Sequence, residues 1–375
     1  MKRVKPTKIK NLRSEAPMKK IVLTGGGTAG HVTPNIALIP ALKEAGYDIV
    51  YIGSYNGIEN RLITDLGIPY FGVATGKFRR SLDSKNFADF FRVIRGYREA
   101  REILKRERPD IVFSKGGFVS VPIVRAAASL KIPCIIHESD VSMGLANRIC
   151  AKVAKKICCN FPEALENLPS DKAVLTGTPI RKELFNGDPA KGRELCGFDD
   201  SKPVLLIIGG SQGAAAVNQA VRDALPKLLP LYQICHLCGK DKMDNLLLTT
   251  PGYKQFEYIT DELGDLFAMA DLVISRAGAN AICELLALKK PNILIPLPTS
   301  SGSRGDQVQN AESFQAQGFS ILIDQEDLTT KYLVKKVNEL YHDRQKYIDT
   351  MAASPMLDAI PTIIQLINEE CGQTQ

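Results

Sequence analysis

The stretch KIVLTGGGTAGHVTPNIAL, residues 20–38, decides the fold. A short apolar, β-branched run ends at Thr24, three glycines follow, and Pro34 then suits the first turn of a helix. Strand, glycine turn and helix together open a parallel α/β unit. Residues 203–221, PVLLIIGGSQGAAAVNQAV, repeat that opening. Around these two segments, apolar runs at 20–23, 49–52, 111–113, 134–136, 204–208, 233–236, 272–274 and 293–295 alternate with helical patterns. The alternation predicts parallel sheets with helices on both faces. The doubled opening predicts an α/β fold of two Rossmann-like, doubly wound domains facing across a cleft. Ligands of such domains lie at the carboxyl ends of the strands.

A chain of 375 residues suits two cores of about 150 residues each. With 45% hydrophobic and 24% charged residues, long disorder is not expected. No apolar run approaches the roughly 20 residues that span a bilayer. The net charge of +7 is unevenly spread, with 25 Lys and Arg against 13 Asp and Glu in residues 1–150. Such a basic half suits nucleic acid or anionic lipid. Residues 1–17 carry six bases and one acid, lack the apolar core of a secretory signal, and read as a basic, disordered extension. The expected division is a first domain over 18–180, a second over 181–356, and a C-terminal helix over 357–375 that packs back on the first. The link falls near Gly177-Thr178-Pro179-Ile180 and the polar stretch 186–203. Nine cysteines, an odd number in mostly apolar surroundings, read as reduced thiols. Cys235-His236-Leu237-Cys238 is metal-like in isolation, but it lies in an expected buried strand with no second ligand pair, so no metal site is assigned.

The chemistry concentrates after the strands. Gly25-Gly26-Gly27-Thr28-Ala29-Gly30 lets backbone amides approach a phosphate at a helix start. A nicotinamide enzyme also needs an acid at the end of the second strand to hold ribose, and Tyr51-Ile52-Gly53-Ser54 supplies none. His31 follows the loop, where a helix N-terminus favours the neutral imidazole a base requires. Gly209-Gly210-Ser211-Gln212-Gly213 is a second candidate anion loop. Residues 275–284, SRAGANAICE, open another helix whose free amides suit a diphosphate, with Glu284 placed to accept ribose hydroxyls. Residues 304–311, RGDQVQNA, offer side-chain amides for sugar hydroxyls. No Asp-x-Asp triplet occurs, so a diphosphate would be met by amides, helix ends and arginines instead of a metal clamp.

Seven stretches in order and in register carry a resemblance to the MurG family of glycosyltransferases. They are GGGTAGHVTPNIAL, SKGGFVSVP, HESD with GLANRICAKVAKKI, GTPIRKEL, GGSQGAAAVNQAV, SRAGANAICEL and SRGDQVQNAESF. The resemblance implies a GT-B fold and an inverting enzyme without a cofactor. That enzyme moves N-acetylglucosamine from its UDP form to an undecaprenyl-linked muramoyl-pentapeptide in peptidoglycan synthesis. It implies donor contacts from Arg181, Ser211, Gln212, Ile259, Ala279, Asn280, Ala281, Glu284, Asp306 and Gln307, with Arg181 or Arg276 as the cationic partner of the leaving diphosphate. Thr28, Ala29, Gly30 and His31 would face the acceptor, and His137 and Glu138 would line the cleft. Where relatives read HEQN this chain reads HESD, so Asp140 replaces an amide and joins His31 and Glu138 as a candidate base. The resemblance further implies a peripheral enzyme at the cytoplasmic face of the cell membrane, with no nucleic-acid partner and with other cell-wall synthesis proteins as possible associates. Phe78, Arg79, Arg80 and Leu82, cations interleaved with apolar residues, are the expected contact with an anionic membrane surface. A diacylglycerol glycosyltransferase or a sugar-nucleotide epimerase of the same fold is the alternative.

Overall fold

The computed structural model describes residues 18–76, 85–210, 212–301, 303–356 and 359–372, with the side chains of 85–90 excepted. Ser211, Phe78, Arg79, Arg80, Leu82 and the extension 1–17 therefore lie outside the described residues.

Among the described residues the strands form two parallel sheets. The first holds β1 (Lys19–Thr24), β2 (Tyr47–Ser54), β3 (Tyr70–Val73), β4 (Ile111–Ser114), β5 (Cys134–Glu138), β6 (Lys156–Cys159) and β7 (Ala173–Leu175), in the order β3-β2-β1-β4-β5-β6-β7. The second holds β8 (Val204–Ile208), β9 (Gln233–Leu237), β10 (Tyr253–Phe256), β11 (Leu272–Ser275), β12 (Asn292–Leu294) and β13 (Ser320–Leu322), in the order β10-β9-β8-β11-β12-β13. Strands such as IVLT and VLLII are apolar on both faces because helices cover both sides. In each sheet the order reverses beside the first strand, between β1 and β4 and between β8 and β11. A crevice opens at such a reversal, so both glycine turns fall there by topology.

Buried residues on one face of the first sheet, Ile21, Leu23, Tyr51 and Phe113, pack with Ile363 and Ile367 of the helix Ala359–Gly372. Tyr47 Oη donates to Asn368 Oδ1 at 2.7 Å at the same contact. The last helix thus returns to the first sheet. The polar stretch after residue 186 is not a free linker. Asp188 caps a helix, Pro189–Cys196, that packs on Leu263–Met269 of the second half. All nine cysteines are free and buried. His236 uses both ring nitrogens, with Tyr253 Oη at 2.8 Å and Asn218 Oδ1 at 3.0 Å, so the Cys-His-Leu-Cys segment serves the core.

Candidate active site

The first glycine loop is shaped from behind by an acid that the sequence reading passed over. Glu59 is fully buried; its carboxylate accepts from Gly27 N at 3.1 Å and from Ser54 N at 3.1 Å. A Cβ on Gly26 would meet that carboxylate at 2.4 Å, so this position is glycine for lack of room. Glu59 follows the second strand as a ribose-binding acid would, yet it is spent on the loop. The loop then presents Thr28, Gly30 and His31 to a cavity of about 700 Å³ between the two halves. Ala29 is exposed, and its carbonyl accepts from Thr33 Oγ1 at 2.7 Å.

His31 sits in a single 3-10 turn, Ala29–His31, against Gly117, whose φ of +81° and missing Cβ bring the backbone to the ring. Burial, and then the Lys115 charge, lower its pKa to about 4, against a smaller opposing effect of the Lys115 backbone. The ring is therefore neutral at pH 7. Its Nδ1 is buried and makes no hydrogen bond of normal geometry, and the residue lines the cavity.

Behind His31 lies Lys115, wholly buried, with Nζ 2.8 Å from His137 Nδ1 and 2.6 Å from Ser139 Oγ. His137 Nε2 lies 2.9 Å from the Gly177 carbonyl, to which it donates as Nδ1 accepts from the lysine. His137 is thus fully occupied inside the protein and does not reach the cavity, contrary to its expected place in the cleft wall. Glu138 reaches the cavity rim, but its carboxylate accepts from Ser139 N, Asp140 N, Gly144 N and Asn147 Nδ2 at 2.9–3.1 Å. With four donors on four lone-pair sites, it builds the loop and has no site left for a substrate proton.

Asp140 looks across the cleft. Its Oδ2 lies 3.0 Å from Arg304 Nη2, and its Oδ1 accepts from Asn310 Nδ2 at 3.2 Å. Asn310 Oδ1 in turn accepts from Val141 N at 3.2 Å. Burial, then the neighbouring Glu138, push the Asp140 carboxyl up to about 6, against the hydrogen bond from Asn310 and the charge of Arg304.

On the second half, the helix Ala279–Ala287 points its N-terminus at the same cavity, lined there by Gly278, Ala279, Asn280 and Ala281. The backbone N–H groups of Ala279, Asn280 and Ala281 precede the first intrahelical bond and are donors without a helical partner. Asn280 Nδ2 donates to Gly30 O at 2.8 Å, joining this helix to the first loop. Beside the cavity, Arg181, Gly210, Tyr258 and Ile259 line a niche of about 120 Å³. Arg181 Nη2 lies 3.9 Å from Glu284 Oε1. Burial raises the Glu284 carboxyl to about 7, with Arg181 opposing.

Three expected residues sit elsewhere. Arg276 donates to the Ile295 and Pro296 carbonyls and to Gln325 Oε1, at 2.6–2.9 Å. Its guanidinium braces the strand-end loops, and Arg276 does not line the cavity. Gln307 Oε1 accepts from Leu297 N at 3.0 Å, whereas its neighbour Asp306 lines the cavity. Gln212 is exposed, and its carbonyl accepts from Lys242 Nζ at 2.5 Å. The cleft cation that the sequence reading overlooked is Arg304, inside a segment read only for its amides. Among the described residues, no helix is long and apolar enough to cross a membrane.

Comparison with known proteins identifies the family of the two halves. The glycosyltransferase family 28 N-terminal domain matches residues 21–159, and the family's C-terminal domain matches residues 204–367. A protein of Lachnospira eligens named UDP-N-acetylglucosamine–N-acetylmuramyl-(pentapeptide) pyrophosphoryl-undecaprenol N-acetylglucosamine transferase is 60% identical over 94% of this chain and 99% of its own length. A protein of the same name from Lachnoclostridium phytofermentans is 61% identical over the same shares. The crystal structure of Acinetobacter baumannii MurG superposes with a TM-score of 0.75 at 26% identity, covering 94% of this chain and 99% of that one. Both domain matches fall on the two sheets in order, and the chain belongs to glycosyltransferase family 28.

Proposed function

We propose that this chain transfers N-acetylglucosamine from UDP-N-acetylglucosamine to the C4 hydroxyl of an undecaprenyl-diphospho-N-acetylmuramoyl-pentapeptide, with inversion at C1. One observation carries the reading: 60–61% identity, over nearly the whole of both chains, to two relatives named for that transfer. The second half holds the donor. Uridine lies in the niche beside Ile259 and Arg181, the ribose hydroxyls bond to Glu284, and the diphosphate meets the amides of Ala279, Asn280 and Ala281. The first half, residues 18–180, holds the acceptor.

His31 takes the proton from the C4 hydroxyl as that oxygen attacks C1. The bond from C1 to the diphosphate oxygen breaks, and UDP leaves with its electron pair, stabilised by the helix end and by cations of the cleft. Two features support His31 over Asp140 as the base: its ring is neutral at pH 7, and the Asp140 carboxylate is held by Asn310 of the other half. Transfer is tested with radiolabelled UDP-N-acetylglucosamine and lipid-linked muramoyl-pentapeptide, diglyceride or no acceptor. Label should reach lipid only with the muramoyl acceptor. Label in diglyceride, or epimerised nucleotide without acceptor, would replace this reading.

We place the enzyme at the cytoplasmic face of the membrane as a peripheral protein, with the first half against the lipid. The helix Lys85–Glu107 supports this, since Phe91 is exposed on it beside exposed Arg92, Arg95 and Arg98. Changing Phe78, Arg79, Arg80 and Leu82 together to Ser should reduce co-sedimentation with phosphatidylglycerol vesicles, more so at low salt. Equal binding by parent and variant would move the contact elsewhere.

A further inference from the structure

Arg304 precedes the helix Asp306–Ala316 and lines the cleft cavity together with Thr28, Gly30 and His31. Its Nη2 lies 3.0 Å from Asp140 Oδ2 on the other half, and its Nε lies 3.8 Å from Asp306 Oδ1. Two carboxylates of its own chain occupy it. The side chain is still about one-third exposed, so solvent and ligands reach it. It lines the same cavity as the free amides at the start of Ala279–Ala287 and the loop at residues 28–31. Its charge is also among those that depress the His31 ring. Gly144 is packed against it: a Cβ there would stand 3.1 Å from Nη1.

We propose that Arg304 is a diphosphate-binding group held in reserve on Asp140. An arriving diphosphate takes the guanidinium from the aspartate and, in doing so, releases an ion pair that ties the two halves together. A planar guanidinium matches phosphate oxygens in a bidentate fork. A diphosphate also brings more negative charge than the single carboxylate it displaces. The amides of Ala279, Asn280 and Ala281 add donors that Asp140 does not meet in its present position. The halves keep their register through the exchange, because Asn310 holds Asp140 Oδ1 and Val141 N independently of Arg304. The inference rests on the transferase reading above, in which both the sugar nucleotide and the lipid-linked acceptor carry a diphosphate.

The test uses the full chain and four proteins: parent, Arg304→Ala, Arg304→Lys and Asp140→Asn. Calorimetry measures the affinity for UDP and for inorganic pyrophosphate, steady-state assays give KM for each substrate, and thermal melting confirms folding. Arg304→Ala should weaken diphosphate binding about tenfold to a hundredfold, as for loss of charge-assisted hydrogen bonds. Arg304→Lys should recover part of it, and stands in if the alanine variant does not fold. Asp140→Asn should tighten binding about twofold to tenfold, because it removes the competing carboxylate. These opposite signs separate a reserved ligand group from a structural tie, whose loss from either side would act alike. A change in UDP affinity and donor KM assigns the diphosphate to the nucleotide, and a change confined to acceptor KM assigns it to the lipid substrate. Unchanged affinities and KM values in Arg304→Ala overturn the proposal. So does an Asp140→Asn variant that binds as weakly as Arg304→Ala. A parent that binds UDP without turning over the acceptor overturns the transferase reading alone, and the binding comparison still decides Arg304.

Discussion

The two glycine turns, residues 25–30 and 209–213, look alike in sequence and are held from opposite electrical sides. Behind the first stands the buried Glu59, which accepts the Gly27 N–H. Tyr51 Oη donates to Gly25 O at 2.7 Å on the same side. Behind the second stands Lys242, whose Nζ donates to the carbonyls of Gln212 and Gly213 at 2.5 and 3.2 Å. An acid that consumes an amide donor makes a poorer anion cradle. A lysine that consumes carbonyls adds positive charge nearby, although Gly209 N and Gly213 N are themselves spent on the Leu237 and Gly210 carbonyls. Similar sequence is therefore braced differently: an acid stands behind the first turn, which in the proposed reading holds the base, and a cation stands behind the second.

The comparison breaks most decisively at His31. His31→Ala should lower kcat about 10²- to 10⁴-fold while UDP-N-acetylglucosamine binding stays near that of the parent, as for a general base. Loss of donor binding in equilibrium dialysis would instead make the first turn an anion site. Protonation removes the base, so kcat at saturating donor should fall only as the pH drops toward about 4.

Glu59→Ala leaves the Gly27 and Ser54 N–H groups without their buried acceptor. It should cost about 1–3 kcal/mol in urea unfolding and lower kcat, with donor KM little changed. A neutral result in both would show that the first turn holds its shape without an acid.

Glu284 sharpens the second side through pH. Its folded pKa is raised to about 7, and the ionised form is the better acceptor for ribose hydroxyls. Affinity for UDP-N-acetylglucosamine, whose diphosphate does not titrate in this range, should therefore rise about tenfold from pH 6 to pH 8. Glu284→Gln should flatten that slope, and a parent with no slope would remove Glu284 from the ribose.

The smallest effect belongs to Lys242, which is partly exposed and screened. Lys242→Met should weaken UDP binding about threefold, more at low salt, with kcat unchanged. A kcat effect without a binding effect would place the lysine in the chemistry.

How much of this was legible in the sequence follows the reach of each interaction. The strand at 204–208 was read to the residue, and both glycine turns were placed at strand ends, because these are local patterns. Short strands such as Ala173–Leu175 and Ser320–Leu322 carry too few residues to show a period, and the sequence reading missed them. Glu59 meets Gly27 across 32 residues, and Arg304 meets Asp140 across 164, so nothing in either local context announces the pair. Arg276 misled for the same reason: it follows a strand into the cleft, yet its long side chain folds back onto carbonyls of the next loop. His137 was placed in the cleft wall because its strand ends there. The buried Lys115 that claims its ring from the adjacent strand was not visible in its own segment.

The helix Ala359–Gly372 has a consequence for how the protein comes off the ribosome. Ile363 and Ile367 are fully buried against a sheet whose strands were all synthesised before residue 176. The first half therefore emerges with one wall of its interior missing, and waits through translation of the whole second half for the segment that seals it.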